Sequence, residues 1–242
     1  MKQKLLAVLL TVVLWGPSVA VLGQDDKSSS ALNTGVDLYS RYIWRGLDFG
    51  SAPSIQPTLE YAHKSGLKIG YWGAFNTTGT YNEIDLYAGY DIAGFSVLFT
   101  DYFIPVSGVP SLKPERYFNY DNNNTGHLFE ASLSWGGTEN FPLTLLAGAF
   151  VYGCDKNSDG DQNYSVYAEA AYTFKTKVGD IQPFIGFTPY DGLYGNTLGV
   201  VNAGITAGKT INVTDKFDIP ITVSLISNPQ NGNIHFVVGA GF

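Results

Sequence analysis

Apolar and polar side chains alternate along most of the chain after residue 33. Successive side chains of a β-strand point to opposite faces, so this alternation predicts strands with one apolar and one polar face. Each segment runs for about ten to thirteen residues, roughly twice the usual length in soluble domains, which favours strands that cross a membrane. Twelve segments follow the pattern: residues 34–45, 53–64, 66–77, 81–92, 94–105, 126–136, 142–153, 163–175, 180–190, 198–209, 217–227 and 232–242.

The predicted fold class is therefore all-β, a transmembrane antiparallel up-and-down β-barrel of about twelve strands. Ten or fourteen strands are the alternatives for the same architecture. The connections support this topology, since short turns such as 64–66 and 92–94 alternate with longer polar ones such as 105–125 and 153–163. Outer-membrane barrels place short turns in the periplasm and long loops outside. We therefore expect a location in the bacterial outer membrane, with both termini periplasmic.

The last segment alternates up to the final residue of the sequence. Ile234, Phe236, Val238 and Phe242 share one apolar face. An unpaired strand edge in hydrocarbon would leave backbone groups without hydrogen-bond partners, so this strand is expected to pair with residues near 34–44 and close the barrel. Phe242 would then lie at the periplasmic rim, where these four residues would form the signal that the barrel assembly machinery recognises.

The N-terminus predicts a secretory signal peptide at residues 1–23, with cleavage after Ala20 as the alternative to cleavage after Gly23. A short polar periplasmic segment, 24–32, would then precede the barrel at 33–242. Beyond the signal no apolar run approaches the roughly 20 residues that a membrane helix needs, which excludes a helical membrane protein.

Charge and cysteine content exclude further classes. Without Lys2 and Lys4 of the signal, 12 basic residues face 21 acidic ones, a formal charge of −9. Nucleic acid is therefore not an expected partner. The single cysteine, Cys154, has no partner for an internal disulfide, and we expect its thiol to be inert.

The alternation also assigns the two faces of the wall. In the first segment Tyr42 and Trp44 are predicted to face lipid, while Asp101 breaks the pattern and indicates a bulge or a position beyond the hydrocarbon. Charges facing inward either pair and brace the barrel or line a water-filled path. The predicted lumen and selectivity residues are Asp37, Arg41, Glu60, Lys68, Glu83, Asp85, Asp91, Glu130 and Glu169.

Neighbouring strands offer ion pairs among these lumen residues. Arg41 is expected near Glu60, Glu60 near Lys68, and Lys68 near Glu83 or Asp85. The charge that remains after such pairing is acidic, so a conducting lumen is expected to prefer cations. A barrel of this size could equally be plugged or narrowly open.

One loop has the spacing of a calcium site. Asp155, Asn157, Asp159 and Asp161 place oxygen atoms at alternate positions around a glycine, as in the first half of a calcium loop. The twelfth position is Val166 where such loops have a bidentate Glu. A solvated outer loop is the favoured interpretation, so no cofactor is expected, with calcium as the weak alternative.

Catalysis is the alternative function that the sequence leaves open. Some barrels of this size hydrolyse lipids with a His-activated Ser. Three histidines could serve, and His127 and His235 have serines within a strand or so. No serine motif distinguishes itself, so the protein is not expected to be an enzyme. The residues concerned are His63, His127, His235, Ser132, Ser134, Ser224 and Ser227.

Three short motifs carry a family resemblance: Tyr-Ile-Trp-Arg-Gly in the first strand, where the family pattern is of the Tyr-Arg-x-x-Gly type, a Trp-Gly in the third strand and a Glu-x-Asp-x-Tyr-x-Gly-Tyr fourth strand. In these motifs the chain resembles the Gcw-type conserved hypothetical bacterial outer-membrane β-barrel proteins. The resemblance implies an outer-membrane barrel that can form a channel and leaves the substrate unspecified. The matching residues are Arg41, Arg45, Gly46, Trp72, Gly73, Glu83, Asp85, Tyr87 and Gly89.

The expected function is thus a passive porin-like channel for small, cationic solutes, or a structural outer-membrane protein. Its expected partners are outer-membrane lipids, the barrel assembly machinery and small solutes. The remaining alternatives are an outer-membrane lipid-modifying hydrolase and a soluble secreted β-sandwich that binds a ligand.

Overall fold

The computed structural model describes residues 30–106, 116–122, 125–215 and 217–242. Fifteen strands form within these residues, which contain no helix long and apolar enough to cross a membrane. The strands are β1 (Ala31–Tyr39), β2 (Ile43–Trp44), β3 (Leu47–Asp48), β4 (Ser54–Ala62), β5 (Leu67–Asn76), β6 (Asn82–Ile92), β7 (Phe95–Val106), β8 (His127–Trp135), β9 (Leu143–Gly153), β10 (Val166–Tyr172), β11 (Phe174–Lys175), β12 (Asp180–Thr188), β13 (Gly199–Thr214), β14 (Phe217–Asn228) and β15 (Asn233–Gly241).

All strands except β2 and β3 belong to one antiparallel wall. Each wall strand pairs with its neighbours along the chain, and two further contacts close the wall: β1 pairs with β15, and β10 pairs with both β9 and β12. The short strand β11 also pairs with β12, so it continues β10 after an interruption at Thr173. The wall is therefore a closed barrel of twelve strands, which confirms the predicted all-β antiparallel barrel architecture.

The seam between the first and last strands is formed as the sequence predicts. Leu38 lies opposite Ala240, and Val36 and Phe242 exchange two backbone hydrogen bonds of 3.0 Å. Because the final strand is paired on both sides, the barrel has no free edge at this point.

Alternation along the wall strands separates an apolar outer face from a polar inner face. Inward side chains that are buried include Gln56, Lys68, Glu83, Asp85, Ser96, Thr100, Glu130, Glu169, Asn202, Thr222 and Ser224. Large apolar side chains exposed on the outer face include Val36, Leu38, Ile55, Leu59, Leu67, Ile69, Leu86, Ile92, Phe95, Val97, Phe99, Leu133, Leu145, Ile185, Phe187, Ile205, Val223, Leu225, Ile234, Phe236 and Val238.

The two ends of the barrel differ. At the end that holds Ala31 and Phe242, short connections join the strands, such as 63–66 and 93–94; we call this the turn end. The opposite, loop end carries the connections at 40–53, 77–81, 107–126, 154–165, 189–198 and 229–232.

The main departure from the predicted strands is at the end of β1. The first segment was expected to reach residue 45, but β1 leaves the wall after Tyr39, and residues 40–53 fold into the lumen as the β2–β3 hairpin. The prediction that Tyr42 and Trp44 face lipid is therefore wrong, since both are buried inside the barrel. An aromatic side chain satisfies the alternation whether it packs on lipid or on a lumen core, so the pattern alone could not distinguish the two.

Smaller differences concern the limits of the barrel. The wall begins at Ala31, two residues before the predicted start at 33, and β13 extends five residues beyond the predicted 209. The predicted signal peptide at 1–23 and most of the predicted polar segment at 24–32 lie outside the described residues.

Candidate functional site in the barrel lumen

The lumen hairpin, residues 40–53, crosses the interior of the barrel near the loop end. The indole ring of Trp44 in this hairpin packs against Tyr102 of β7, Phe150 of β9 and Tyr194 of the 189–198 loop. The distances between ring centroids are 5.6, 6.5 and 5.6 Å, respectively. Tyr42 packs against Trp72 of β5 at 5.4 Å. These rings form a continuous hydrophobic core inside the lumen.

The other side of the hairpin is also covered. Ile43 lies in a second buried cluster with Tyr39, Ile226 and Val237, which belong to the seam strand β1 and to β14 and β15. Because both faces of the hairpin pack on wall strands, the loop half of the lumen is filled with side chains.

A two-residue turn forms the tip of the hairpin. Trp44 pairs with Leu47, and the residues between them, Arg45 and Gly46, have φ angles of 51° and 80°, as in a type I′ turn. A Cβ on Gly46 would lie 2.0 Å from the backbone oxygen of Val201, so only glycine fits against β13. Asn228 of β14 donates to the Gly46 carbonyl at 3.3 Å and fixes the tip.

Arg45 ties the tip to the far wall. Its Nη1 and Nη2 donate to Glu130 of β8 at 2.5 and 2.9 Å, and Nη1 also donates to the hydroxyl of Tyr194. The guanidinium carbon lies 4.4 Å from the ring of Trp44 and 4.8 Å from that of Tyr167. Burial lowers the pKa of Arg45, but the charge of Glu130 outweighs burial and leaves that pKa above its ordinary value. The guanidinium is therefore a fixed cation.

Three further acids lie buried around the hairpin without a cation of their own. Glu83 accepts from Tyr81 at 2.9 Å and is also hydrogen-bonded by Tyr42 of the hairpin. One oxygen of Asp85, Oδ1, has no hydrogen-bond partner among the described residues. Burial, followed by the charge of Glu83, raises the pKa of the Tyr42 phenol well above its ordinary value.

The third acid, Glu169, lies on the opposite wall. Its Oε2 accepts from Asn202 at 2.9 Å and from the hydroxyl of Tyr167, while its Oε1 has no partner in the described part of the chain. The Oδ1 of Asn202 and the Nε of Arg45 are likewise unpartnered and buried. Of these four unpartnered atoms three are acceptor oxygens, on Asp85, Glu169 and Asn202, and one is a donor, on Arg45.

The turn half of the lumen is polar and partly exposed. Lys68 contacts Asp91 and Ser96, each at 2.8 Å, and Glu60 accepts from Asn33 at 3.4 Å and from Tyr87 at 3.1 Å. Glu60 and Asp91 are only partly buried. Water therefore reaches this half, in contrast to the packed loop half.

The predicted lumen residues face inward, but their predicted ion pairs are wrong. Arg41 pairs with Asp48 of the hairpin at 3.2 Å and approaches His235 at 3.4 Å, so it does not meet Glu60. Lys68 binds Asp91 instead of Glu60, Glu83 or Asp85. The pairs differ because the hairpin supplies a partner for Arg41 and because strand register, which sets cross-strand neighbours, was not known. Asp37 is buried on the inner face near the seam.

The structure uses half of the calcium-like residues to shape their loop. Asp155 is buried and accepts from the backbone and hydroxyl of Ser165, each at 2.7 Å, and Asn157 accepts from the backbone of Asp159 and Asp161. Asp159 and Asp161 themselves are exposed. Across the described ranges no three His, Cys, Asp or Glu side chains gather as metal ligands.

The histidines are separated from one another. His127 faces outward near the loop end, where Nδ1 contacts Asp101 at 2.6 Å and Nε2 contacts the Tyr117 carbonyl at 2.5 Å. Both ring nitrogens are thus engaged, and this contact accounts for the polar side chain of Asp101 on the outer face. His63 contacts Ser65 in an exposed turn, and His235 faces inward.

Sequence reasoning missed Tyr194, Asn202 and Asn228, which hold the hairpin or its acids. Tyr194 lies in a connection that the pattern treats as solvent-exposed, and the two asparagines lie on strands whose faces are apolar or small on both sides. The one available signal was Arg45-Gly46 between aromatic residues, a pair that fits a tight turn better than a continuing strand.

Comparison with known families supplies the identification. The sequence model of the family described as "Bacterial protein of unknown function (Gcw_chp)" matches residues 23–178, more than half of the chain. The chain belongs to the Gcw_chp family. The match covers β1 to β11 and therefore includes the lumen hairpin, Glu83, Asp85, Glu130 and Glu169. No curated protein and no solved structure matches the chain.

Proposed function

We propose that this member of the Gcw_chp family is a bacterial outer-membrane protein that forms a narrow, passive porin-like channel for small solutes. The observation that carries the proposal is the distribution of polarity across the closed wall. Large apolar side chains are exposed around the outside, while most charged side chains on the wall strands face inward. A soluble barrel or sandwich would expose polar side chains on its outer face, whereas lipid favours this arrangement.

The lumen supports a preference for cations. Among the described residues its charged side chains comprise eight acids and three bases, and each base is paired with a carboxylate: Arg41 with Asp48, Arg45 with Glu130 and Lys68 with Asp91. A path lined by excess negative charge attracts cations and repels anions. The lumen hairpin narrows this path, so we propose small cationic solutes and no catalytic role.

Conductance in planar lipid bilayers tests the channel. The purified, folded barrel is expected to give discrete current steps with a reversal potential that favours cations in a salt gradient. The variant Glu60→Gln removes a charge from the water-accessible half and is expected to reduce the cation preference without abolishing current. A correctly folded sample that gives no current would contradict the proposal.

Membrane fractionation tests the location. We expect the protein to remain in the outer-membrane fraction until detergent is added, with the final strand and Phe242 engaging the barrel assembly machinery. Release from membranes by an alkaline wash without detergent would exclude the barrel from the bilayer and favour the soluble alternative.

The packed hairpin favours a second candidate, a structural outer-membrane protein without a path for solutes. Replacing residues 42–49 by a short Gly-Ser linker distinguishes the two roles. A channel is expected to conduct more strongly without the hairpin, whereas a structural barrel whose other side chains fill the lumen would stay silent.

A further inference from the structure

Proton binding to the buried acids is linked to the position of the lumen hairpin. We infer that the hairpin is a proton-sensitive plug that stays seated while Glu83, Asp85 and Glu169 hold protons and that leaves its seat as they ionise. This inference rests on the proposed channel and adds the regulation of the same lumen.

The packed loop half has fewer cations than buried acids while the hairpin is seated. Arg45 is the only buried Arg or Lys side chain that the described residues place in the packed loop half, and Glu130 binds it through both oxygens, while the partly exposed Arg41 pairs with Asp48. Glu83, Asp85 and Glu169 are each no more than 4% exposed and have no basic partner there. Taking an unpaired carboxylate out of water costs several kcal/mol, so the seated hairpin favours the neutral acids.

Unpartnered oxygen atoms give the second, independent observation. Asp85 Oδ1 and Glu169 Oε1 lie in the core with no hydrogen-bond donor among the described residues. A carboxylate kept charged in a protein interior is usually surrounded by donors, because each missing hydrogen bond adds to the cost of burial. The surroundings of these two oxygens favour the protonated form, so Asp85 and Glu169 are neutral in the plugged state.

The neighbouring groups do not reverse this balance. Most are phenols or carboxylates, and Arg45 reaches only the side of Glu169. The groups that face Glu83 and Asp85 inside the lumen are Tyr42, Tyr81, Tyr102 and Glu130, with Tyr71 and Asp101 acting from the outer face of the wall, and those that face Glu169 are Tyr167, Asn202 and Arg45.

Hairpin movement would hydrate all three acids. Tyr42 of the hairpin is hydrogen-bonded to Glu83, and Arg45 lies beside Glu169, so withdrawal of the hairpin uncovers both walls. Once in water each acid loses its proton to solvent. Since the plugged state binds more protons than the open state, rising pH favours opening, by up to about tenfold per pH unit for each proton released.

The emission of Trp44 reports the plug independently of transport. In the Trp72→Phe/Trp135→Phe variant, with the chain produced from Gln24, acrylamide quenching of Trp44 is expected to increase several-fold between about pH 5 and about pH 8. Single-channel conductance or open probability of the unsubstituted protein is expected to rise over the same range. The Gly-Ser replacement of residues 42–49 is expected to conduct at every pH.

Charge-neutral variants identify the acids. Asp85→Asn and Glu169→Gln each remove one proton-binding group and are expected to reduce the steepness of the pH response. The matched control is Glu60→Gln, which lies in the water-accessible half and is expected to keep that steepness. Heat-modifiable migration on gels verifies that each variant is folded.

The possible results separate the two proposals. Quenching that does not change with pH, in a protein that conducts, overturns the plug and leaves the channel. Quenching that rises with pH, while even the Gly-Ser variant gives no current, supports the proton-sensitive hairpin and overturns the channel. An equal loss of steepness in Glu60→Gln and Asp85→Asn overturns the assignment to the buried acids.

Discussion

A single ion pair, Arg45 with Glu130, joins the tip of the hairpin to the far wall. Arg45 also has a left-handed φ, which a residue other than Gly, Asn or Asp seldom adopts. Such backbone strain persists only where the surroundings hold the residue in place. Here two hydrogen bonds to Glu130, one to Tyr194 and two aromatic faces hold it.

Loss of one partner of this pair is expected to be costly. Arg45→Met leaves Glu130 buried without its cation and should lower the free energy of unfolding by about 3–5 kcal/mol. The control Arg41→Met breaks a partly exposed pair with Asp48 and should cost no more than about 1 kcal/mol. Urea unfolding in detergent micelles measures both, and equal losses would contradict the importance of the buried pair.

The thiol of Cys154 is expected to react slowly in the folded barrel. Burial raises the pKa of Cys154 to about 12, so very little reactive thiolate exists near neutral pH. Alkylation by iodoacetamide, followed by mass spectrometry, should be many-fold slower in the folded than in the urea-unfolded protein. A folded-state rate equal to that of the unfolded chain would show that the thiol is accessible.

At this scale the sequence predicts which charged residues face inward and fails to predict their partners. Glu83, Asp85, Glu130 and Glu169 alternate with apolar neighbours, and that local pattern is enough to place them in the lumen. The ion pair of Glu130 depends on Arg45 of the lumen hairpin, which also binds Tyr194 of a distant loop. No local pattern encodes a contact between residues separated by 85 or 149 positions.

Among the elements, the lumen hairpin determines which half of the barrel is filled. Its two strands have only two residues each, and two such strands are not stable alone in water. The hairpin therefore depends on its seat: aromatic rings on one side, Ile226 and Val237 on the other, and a close backbone approach at Gly46.

The variant Gly46→Ala tests that close approach. Both the left-handed φ and the 2.0 Å contact with the Val201 oxygen oppose a Cβ, so the hairpin should be displaced. Gly79→Ala is the matched control, since Gly79 has a similar φ of 70° but nothing within 4 Å of its added Cβ. It should cost only about 1–2 kcal/mol from the backbone.

Protease susceptibility of residues 40–53 in the folded barrel compares the two alanine variants. Faster cleavage is expected for Gly46→Ala than for Gly79→Ala. Equal, slow cleavage in both would show that the tip does not need glycine.

Strands were predicted well where alternation is strict and polar on one side, as in β6, and poorly at β1. The segment from Tyr39 to Arg45 keeps the alternation while it leaves the wall. A lumen core and a lipid bilayer are both apolar, so the same residues satisfy either environment. The break could be placed only by the turn at Arg45-Gly46, whose positive φ values are typical of a hairpin tip.

At the scale of the whole molecule, closure depends on the seam between β1 and β15. Val36 and Phe242 form a hydrogen-bonded pair, and such pairs recur at every second residue of an antiparallel ladder, so Leu38 and Ala240 form the next hydrogen-bonded pair. Cα atoms in such a pair lie about 5.5 Å apart, within the range of a disulfide.

A cross-link across the seam tests the register. In a Cys154→Ser background, Leu38→Cys/Ala240→Cys should oxidise to a disulfide. This bond would join the first wall strand, β1, to the last, β15, and make the barrel a covalent ring. The control Leu38→Cys/Val238→Cys places the two cysteines diagonally across the strand pair, about 7–8 Å apart, and should not form a disulfide. Migration on denaturing gels with and without reductant distinguishes the ring, and cross-linking of the diagonal pair instead would indicate a slipped register.

The seam also carries the lumen hairpin, because residues 40–53 follow β1 directly and lead into β4. Until β1 pairs with β15, the wall surface against which Ile43 packs is incomplete, since Ile226 and Val237 belong to the last two strands. The hairpin can therefore take its final seat only when the end of the chain has been added. Sealing the wall and filling the interior become one late step of assembly, and a chain truncated before β14 would keep an aromatic hairpin with half of its binding surface missing.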